Sequence, residues 1–217
     1  MKLSSAIAAS MLAGVLAAGC GSSDSCVNGS GSTVSQTLDL SGLTGVDFQA
    51  AGEVTVMLGE TQVVMVEGQE NIIERLNTDV INGIWEIGFS ECVGNIDGLV
   101  ITITVPEFDY AELSGAGTIV AETDSSQMET ALSGAGTITL SGSSTGHTVS
   151  LSGSGTVEAF ELDAANVEVD LTGQGNVNVT AQEQLAVDLS GAGAVFYKGS
   201  PVLDIRISGA GSISDAN

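Results

Sequence analysis

One short phrase recurs six times in the second half of the chain at nearly constant spacing. The copies read LSGAG, LSGAG, LSGSG, LTGQG, LSGAG and ISGAG, and they begin at Leu113, Leu132, Leu151, Leu171, Leu189 and Ile207. The steps between them are 19, 19, 20, 18 and 18 residues. A period of this size is typical of a stacked repeat, in which each unit buries its apolar face only against its neighbours.

Apolar residues alternate with polar ones on both sides of the phrase. In the fourth copy, Val167, Val169 and Leu171 occupy every second position, which predicts a strand with one buried face. A second apolar column stands six residues after the start of each phrase and consists of Ile119, Ile138, Val157, Val177, Val195 and Ile213. Each copy therefore predicts two strands joined at a glycine corner.

Each repeat is expected to form one turn of a coil, hereafter a rung. The two glycines of each phrase are expected to allow a tight bend and a close approach of neighbouring rungs. The bend is expected to need backbone angles that a Cβ atom forbids, and the close approach leaves no room for one. The residue between the glycines is alanine or serine in every copy except the fourth, where Gln174 stands, and we expect these small residues to stack.

The repeat predicts an all-β fold, namely a single-stranded parallel β-helix or solenoid with rungs of about 19 residues, right-handed by default. An antiparallel β-sandwich of hairpins is the alternative. Hairpin partners have no reason to carry the same phrase in the same register, whereas parallel rungs place identical side chains above one another. The solenoid is therefore favoured.

Residues 34–110 alternate less regularly and are expected to form imperfect β rungs that cap the solenoid. The stretch FQAAGEV, from Phe48 to Val54, resembles an imperfect copy of the phrase. Glu70 to Leu76 is expected to form a short helix or turn. The predicted organisation is a signal peptide over 1–19, a tether over 20–33, irregular rungs over 34–110 and regular repeats over 111–217. The last two parts are expected to form one continuous domain.

The first twenty residues resemble a bacterial lipoprotein leader. Lys2 precedes an apolar stretch and the small residues before Cys20, whose thiol is then the expected lipidation site. Gly21, rather than aspartate, after that cysteine favours the outer membrane. Ordinary secretion, with Cys20 inside the leader, is the alternative.

Two further cysteines, Cys26 and Cys92, are candidates for a disulfide in an exported protein. The alternative is a pair of unlinked thiols, because their spacing matches no known framework.

The chain is strongly acidic, with 27 Asp and Glu against 4 Lys and Arg and a net charge of −23. Such a surface repels nucleic acid, so no nucleic-acid partner is expected. A lone histidine, His147, cannot form a metal cluster or a Ser-His-Asp site, and it is expected to be a partly buried strand residue. No cofactor is expected.

The serial phrases, together with VDFQAAGEVTVMLGE, ITITVPEF and the closing AVFYKGSPVLDIRISGAGSI, resemble the bacterial auto-transporter adhesin family with a head GIN domain. The resemblance covers residues 34–217 and implies an exported β-helix with no established enzymatic activity. Gln174 and Asn176 depart from the small residue and threonine that the family usually has there, which puts the tightness of the fourth corner in question.

An outward-facing column precedes each phrase and includes the acidic residues Glu112, Asp170 and Asp188. Stacked in register, Asp170 and Asp188 would lie about 5 Å apart, with Arg206 as a charge partner of Asp188. Such a pair fits a glycosidase acid and nucleophile or a weak calcium site, but a solvated charge ladder is favoured.

The sequence therefore predicts a non-enzymatic lipoprotein of the cell envelope that is adhesin-like or structural. Its expected partners are the membrane, through the N-terminal lipid, and an unidentified envelope protein or glycan. A glycan-active β-helix enzyme, similar to polysaccharide lyases or hydrolases, is the alternative. Few aromatic residues are available to stack on sugars, namely Trp85, Tyr110 and Tyr197.

Overall fold

Equivalent residues of successive repeats lie opposite one another in parallel strands. The computed structural model describes residues 26–96 and 98–217, so the signal peptide, Cys20 and the start of the tether lie outside the described residues. Its strands are β1 (Thr33–Leu38), β2 (Gly45–Phe48), β3 (Glu53–Leu58), β4 (Val63–Gln69), β5 (Val80–Ile81), β6 (Ile84–Ile87), β7 (Val100–Val105), β8 (Tyr110–Leu113), β9 (Thr118–Leu132), β10 (Thr137–Leu151), β11 (Thr156–Leu171), β12 (Asn176–Leu189), β13 (Ala194–Lys198), β14 (Val202–Ile207) and β15 (Ser212–Asp215).

Strands β9 to β12 each run along most of a rung and pair in parallel with the next strand. The first residues of the phrases form one file, in which Leu132 pairs with Leu151, Leu151 with Leu171 and Leu171 with Leu189. The file ends at Ile207 on β14. This arrangement confirms the predicted solenoid with rungs of about 19 residues.

The uneven spacing of the repeats is absorbed within the strands and not at the corners. Between β10 and β11 the register shifts near Thr139 and Ser141, where β11 holds an extra residue. Two further shifts, between Ala159 and Asp163 and between Ala164 and Asn166, together accommodate the shorter step that follows. Bulges of this kind leave the phrases in register although their steps differ in length.

The N-terminal half continues the solenoid and then covers its end. Strand β2 pairs in parallel with β6 and β8, and β3 pairs in parallel with β7 and β9. Strands β1 and β4 are antiparallel to their neighbours and follow β7 at the outer edge of the sheet. A single helical turn, α1 (Glu70–Ile73), buries Ile72 and Ile73.

The interior is a continuous apolar core. Phe48, Trp85 and Phe108 fill it towards the N-terminal end, and branched residues and leucines fill the regular rungs. Full burial of one such side chain contributes roughly 1.5–3 kcal/mol relative to exposure, so the stacked leucine file is a major stabilising feature.

The phrase glycines are required by close approach and not by their backbone angles. None of them has a positive φ. A Cβ added to Gly134 would lie 1.9 Å from the Gly115 carbonyl oxygen, and one added to Gly191 would lie 1.9 Å from that of Gly173. The expectation that the bend itself demands glycine angles was therefore wrong.

The fourth corner is as tight as the others despite its unusual sequence. A Cβ on Gly173 would lie 2.0 Å from the Gly153 carbonyl oxygen. Gln174 fits because the residue between the two glycines is exposed, as Ala135 is in the second copy. Size is not restricted at that position, so small residues are not required there for stacking.

A disulfide joins Cys26 to Cys92, with their Cα atoms 4.7 Å apart. Next to it Val27 bridges Val93, and the Val27 amide donates to the Cys92 carbonyl oxygen at 2.9 Å. These contacts attach the first described residues to the irregular half of the domain. Within the described residues, no helix has the length and apolar character needed to cross a membrane.

Candidate functional site

The outward residue before each phrase forms one column of side chains across successive rungs, hereafter the acidic column. In spatial order it contains Glu86, Asp47, Glu112, Ala131, Ser150, Asp170, Asp188 and Arg206. Neighbouring members are one strand spacing apart, about 4.8 Å, because parallel pairing holds them in register. The column therefore has two acidic segments separated by Ala131 and Ser150.

Asp47 is the central carboxylate of the first segment. It pairs in register with Glu86 on one side and Glu112 on the other. Partial burial raises the pKa of Asp47, the hydrogen bond from Gln49 lowers it, and the charges of Glu112 and Glu86 raise it further. The Gln49 amide donates to Asp47 Oδ2 at 2.6 Å, while Oδ1 is buried and has no hydrogen-bond partner among the described residues.

Tyr110 adds a phenol to the same segment. Its hydroxyl donates to Glu112 Oε2 at 2.6 Å. Burial, followed by this hydrogen bond and by neighbouring carboxylates, raises the pKa of Tyr110 well above its usual range. The phenol therefore remains a neutral hydrogen-bond donor at physiological pH.

A shallow groove of about 310 Å³ connects the two acidic segments. Glu112 and Asp170 stand at its two ends, and Ser133, Ser150 and Ser152 contribute hydroxyl groups between them. These groups can donate and accept hydrogen bonds, so the groove suits a hydroxyl-rich ligand.

Asp170 and Asp188 are adjacent in register in the second segment, and both are exposed. Arg206 pairs in register with Asp188, but its Nη2 donates to Asp204 Oδ2 at 3.2 Å. The ion pair thus lies within β14, and the expectation that Arg206 would pair with Asp188 was wrong. A general acid of a glycosidase is normally held in a water-poor pocket, which these exposed carboxylates do not have.

His147 belongs to the core. It is buried, and its Nε2 lies 2.9 Å from Thr130 Oγ1. Burial lowers the pKa of His147 to about 4. Among the described residues, no group of three or more His, Cys, Asp or Glu side chains is arranged to hold a metal ion.

The aromatic residues offer little surface for stacking on a sugar. Trp85 is fully buried, and its indole donates to the Asn77 carbonyl oxygen at 2.8 Å. Tyr110 and Tyr197 are partly buried, so only part of each ring is accessible to a ligand. A carbohydrate ligand would therefore be held mainly by hydrogen bonds to the column.

Asp47 and Glu86 are members of the column that the sequence did not predict. The place of Asp47 could have been predicted, because the imperfect copy of the phrase at Phe48 aligns with the phrase at Leu113 and places Asp47 opposite Glu112. Glu86 carries no phrase beside it, so only the strand pairing of β6 with β2 reveals its position.

Solved structures with similar folds come from Bacteroides and Parabacteroides species. A putative adhesin from Bacteroides fragilis matches with a TM-score of 0.68 at 20% identity, covering 87% of this chain and 99% of that chain. A putative lipid binding protein from Parabacteroides distasonis matches with a TM-score of 0.57 at 18% identity, covering 88% and 100%. A putative adhesin from the same organism gives a TM-score of 0.54 at 18% identity, covering 88% and 99%. At these identities the likeness establishes the fold alone.

No curated protein matches the sequence. A family model does match it over residues 42–201, which include most of the irregular rungs and the phrases from Leu113 to Leu189. That model is described as "Putative auto-transporter adhesin, head GIN domain". The match spans well over half of the chain, and it agrees with the stacked phrases seen in the fold. The chain therefore belongs to the head GIN domain family of putative auto-transporter adhesins.

Proposed function

We propose that this protein is a non-enzymatic, adhesin-like binding module of the bacterial cell envelope. The observation that carries the proposal is the exposed groove between the carboxylates of Glu112 and Asp170, where the hydroxyl groups of Ser133, Ser152 and Thr172 lie on successive rungs. Membership of an adhesin family supports a location in the envelope or at the cell surface.

The chemistry of the column favours a neutral or cationic glycan as the ligand. Serine hydroxyls and carboxylates hydrogen-bond sugar hydroxyl groups, whereas the net charge of −23 repels anionic polymers. Several weak sites along a repeating surface gain avidity when they bind one polymer.

A glycan array with the fragment 26–217 tests this proposal. We expect binding to neutral glycans that weakens in Asp170→Asn and Glu112→Gln. An Asp39→Asn variant is a matched control, because it removes one exposed charge next to β1, which lies several strands away from β10 and β11 in the sheet. Loss of binding to the same extent in Asp39→Asn would assign the effect to net charge alone.

A reducing-sugar assay on the same glycans addresses the enzyme alternative, which rests on the adjacency of Asp170 and Asp188. We expect no turnover. Turnover that disappears in both Asp170→Asn and Asp188→Asn would replace the adhesin proposal with a glycan-active enzyme.

The second part of the proposal is a lipid anchor on Cys20 in the outer membrane. Its support is the leader sequence and the position of the disulfide, because the chain from Cys20 to Cys26 reaches about 20 Å at most. Such an anchor holds the N-terminal half of the domain near the membrane.

Metabolic labelling with a fatty-acid analogue, followed by membrane fractionation, checks the anchor. Cys20→Ser is expected to abolish labelling and release the protein from the membrane fraction. The double variant Cys26→Ser, Cys92→Ser is the control that keeps Cys20, and it is expected to remain labelled. Labelling that survives Cys20→Ser would contradict the anchor.

A further inference from the structure

The C-terminal end of the solenoid exposes apolar side chains, three of which have buried counterparts one rung below. Val202, Leu203, Ile205 and Ile207 of β14 are 74%, 43%, 38% and 48% exposed. The counterparts of the last three on β12, one rung below, are Leu185, Val187 and Leu189, and all of these are buried. The two strands thus have the same inward pattern, but among the described residues no further rung covers β14.

The outer edge of β14 is also free of backbone pairing within the part of the chain that the structure describes. β14 pairs with β12 on one side only. The C-terminal tail does not cross it, because Asn217 bonds to Gly199 and the Ala216 amide donates to the Tyr197 carbonyl oxygen at 2.8 Å. An exposed apolar edge strand of this kind is a template for pairing with another chain.

The sequence of β14 is complementary to itself in one antiparallel register. If Ile205 faces Ile205 of a second copy, Leu203 faces Ile207, and Asp204 faces Arg206 of that copy, in both directions. Centring the pairing on either neighbouring residue instead places Asp204 against Asp204 or Arg206 against Arg206. Opposite charges stabilise directly opposed strand positions and like charges destabilise them, so the charges select this register.

Charge also favours this end of the molecule for contact between copies. The chain carries −23 overall, and such copies repel one another over most of their surface. Of the three basic residues in the described part of the chain, Lys198 and Arg206 lie in the last rung. The exposed ion pair of Arg206 with Asp204 leaves β14 itself without net charge.

We propose that two copies of this protein associate end to end through antiparallel pairing of their β14 strands. The contact continues the sheet across the interface and covers the open apolar end of each coil. The paired strand has only six residues in each copy, fewer than the roughly 20–30 residues a side of a stable interface, so the dimer is expected to be weak and to depend on concentration.

Sedimentation velocity over micromolar to millimolar concentrations measures this association. The sample is the chain from residue 20 with Cys20→Ser, which keeps the tether and the disulfide but cannot be lipidated. The expected result is a reversible monomer–dimer equilibrium. A monomer at every concentration would overturn the proposal, and so would continuous growth beyond a dimer, which indicates head-to-tail stacking or aggregation.

Two exposed single variants test the register without touching the core. Asp204→Arg and Arg206→Asp each create like-charge contacts in the homodimer, and each is expected to weaken it by about tenfold or more. Mixed in equal amounts, the two variants have complementary strands again, so they are expected to form a heterodimer with near wild-type affinity. The double variant Asp204→Arg, Arg206→Asp is likewise expected to dimerise.

This complementation separates β14 pairing from other causes. Circular dichroism and thermal unfolding of each single variant confirm that the monomer is intact. If both single variants dimerise as the wild type does, or if their mixture stays monomeric while the wild type dimerises, the β14 register is refuted.

Discussion

Single residues in this fold are constrained most where neighbouring rungs approach at the corners. In every phrase after the first, the first glycine lies against the carbonyl oxygen of the equivalent glycine one rung away, so close that a methyl group is excluded. The residue beside it points to solvent and accepts a glutamine. Each phrase therefore contains two glycine positions that have no room for a side chain, and between them one exposed position that accepts a large side chain.

Gly134→Ala is expected to destabilise the protein by at least about 1–3 kcal/mol, the usual cost of overpacking a close-packed site. The new Cβ would meet the Gly115 carbonyl oxygen, which is backbone and cannot rotate away. Thermal and urea unfolding measure the change. Gly68→Ala is the matched control, because its Cβ would meet Leu99 Cδ1 at 3.5 Å, an ordinary contact. Equal losses in both variants would contradict the corner explanation.

His147 makes stability depend on pH in the mildly acidic range. Its pKa is about 4 in the folded state and 6.5 when unfolded, so the unfolded chain binds the additional proton between these values. Stability from the neutral histidine is complete above pH 6.5 and decreases as the pH falls to 4, by about 3 kcal/mol.

The variant His147→Met isolates this effect, since Met128 occupies the same column one rung away. Urea unfolding at pH 7 and at pH 4.5 gives the difference between the variant and the wild type at each pH. We expect the difference to shift in favour of the variant at the lower pH. A difference that does not change with pH would show that His147 does not titrate as described.

At the scale of elements, the rung is the unit that carries the acidic column. Each strand that crosses the column contributes one outward side chain to it, so charge can accumulate where rungs stack. Charge repulsion acts most directly on Asp47, because Glu86 and Glu112 face it from the two neighbouring strands. Like charges directly opposite one another weaken a sheet.

Asp47→Asn is expected to stabilise the protein at pH 7, by roughly 0.2–1 kcal/mol for each repulsive pair that is relieved. The raised pKa of Asp47 means that the folded state binds the proton more tightly than the unfolded chain. The advantage of the variant should therefore shrink as the pH falls through that pKa and the wild-type carboxyl becomes neutral. Unfolding temperatures from pH 4 to 7 provide the measurement, with Asp39→Asn as the control for net charge.

At the scale of the whole molecule, the two ends of the solenoid differ. The N-terminal half is covered by antiparallel strands and tied to Cys26, whereas the C-terminal rung is open. With the proposed lipid on Cys20, the open rung faces away from the membrane. Two copies joined through β14 then have their lipids at opposite ends, which suits contact between two membranes.

Vesicles that carry the lipidated protein are therefore expected to cluster, because many weak end-to-end contacts act together. Light scattering follows the clustering. Vesicles with Arg206→Asp alone should remain dispersed, and mixing them with vesicles that carry Asp204→Arg should restore clustering. Clustering of Arg206→Asp vesicles by themselves would show that the contact does not use β14.

The sequence predicted the solenoid because the length of one rung is visible as the repeat period of the sequence. Leucines, corner glycines and inward valines recur in phase, and parallel stacking is the arrangement that brings residues such as Leu151 and Leu171 together. For the same reason the period alone is enough to place Asp170 and Asp188 side by side. The irregular half has no such period, so the pairing of β6 with β2 could not be predicted from the sequence.

What the amino-acid sequence alone determined is thus the stacking, since repetition in sequence becomes adjacency in space when rungs lie in parallel. Only the tertiary structure decided the features that depend on what surrounds a residue, namely close approach, burial and exposure. Corner glycines follow from the separation between backbones, the burial of Trp85 and His147 follows from the closed interior, and the exposure of β14 follows from its place as the last rung. A residue pattern is the same in every rung, but burial requires a neighbour on both sides, and β14 has only one among the strands that the structure describes.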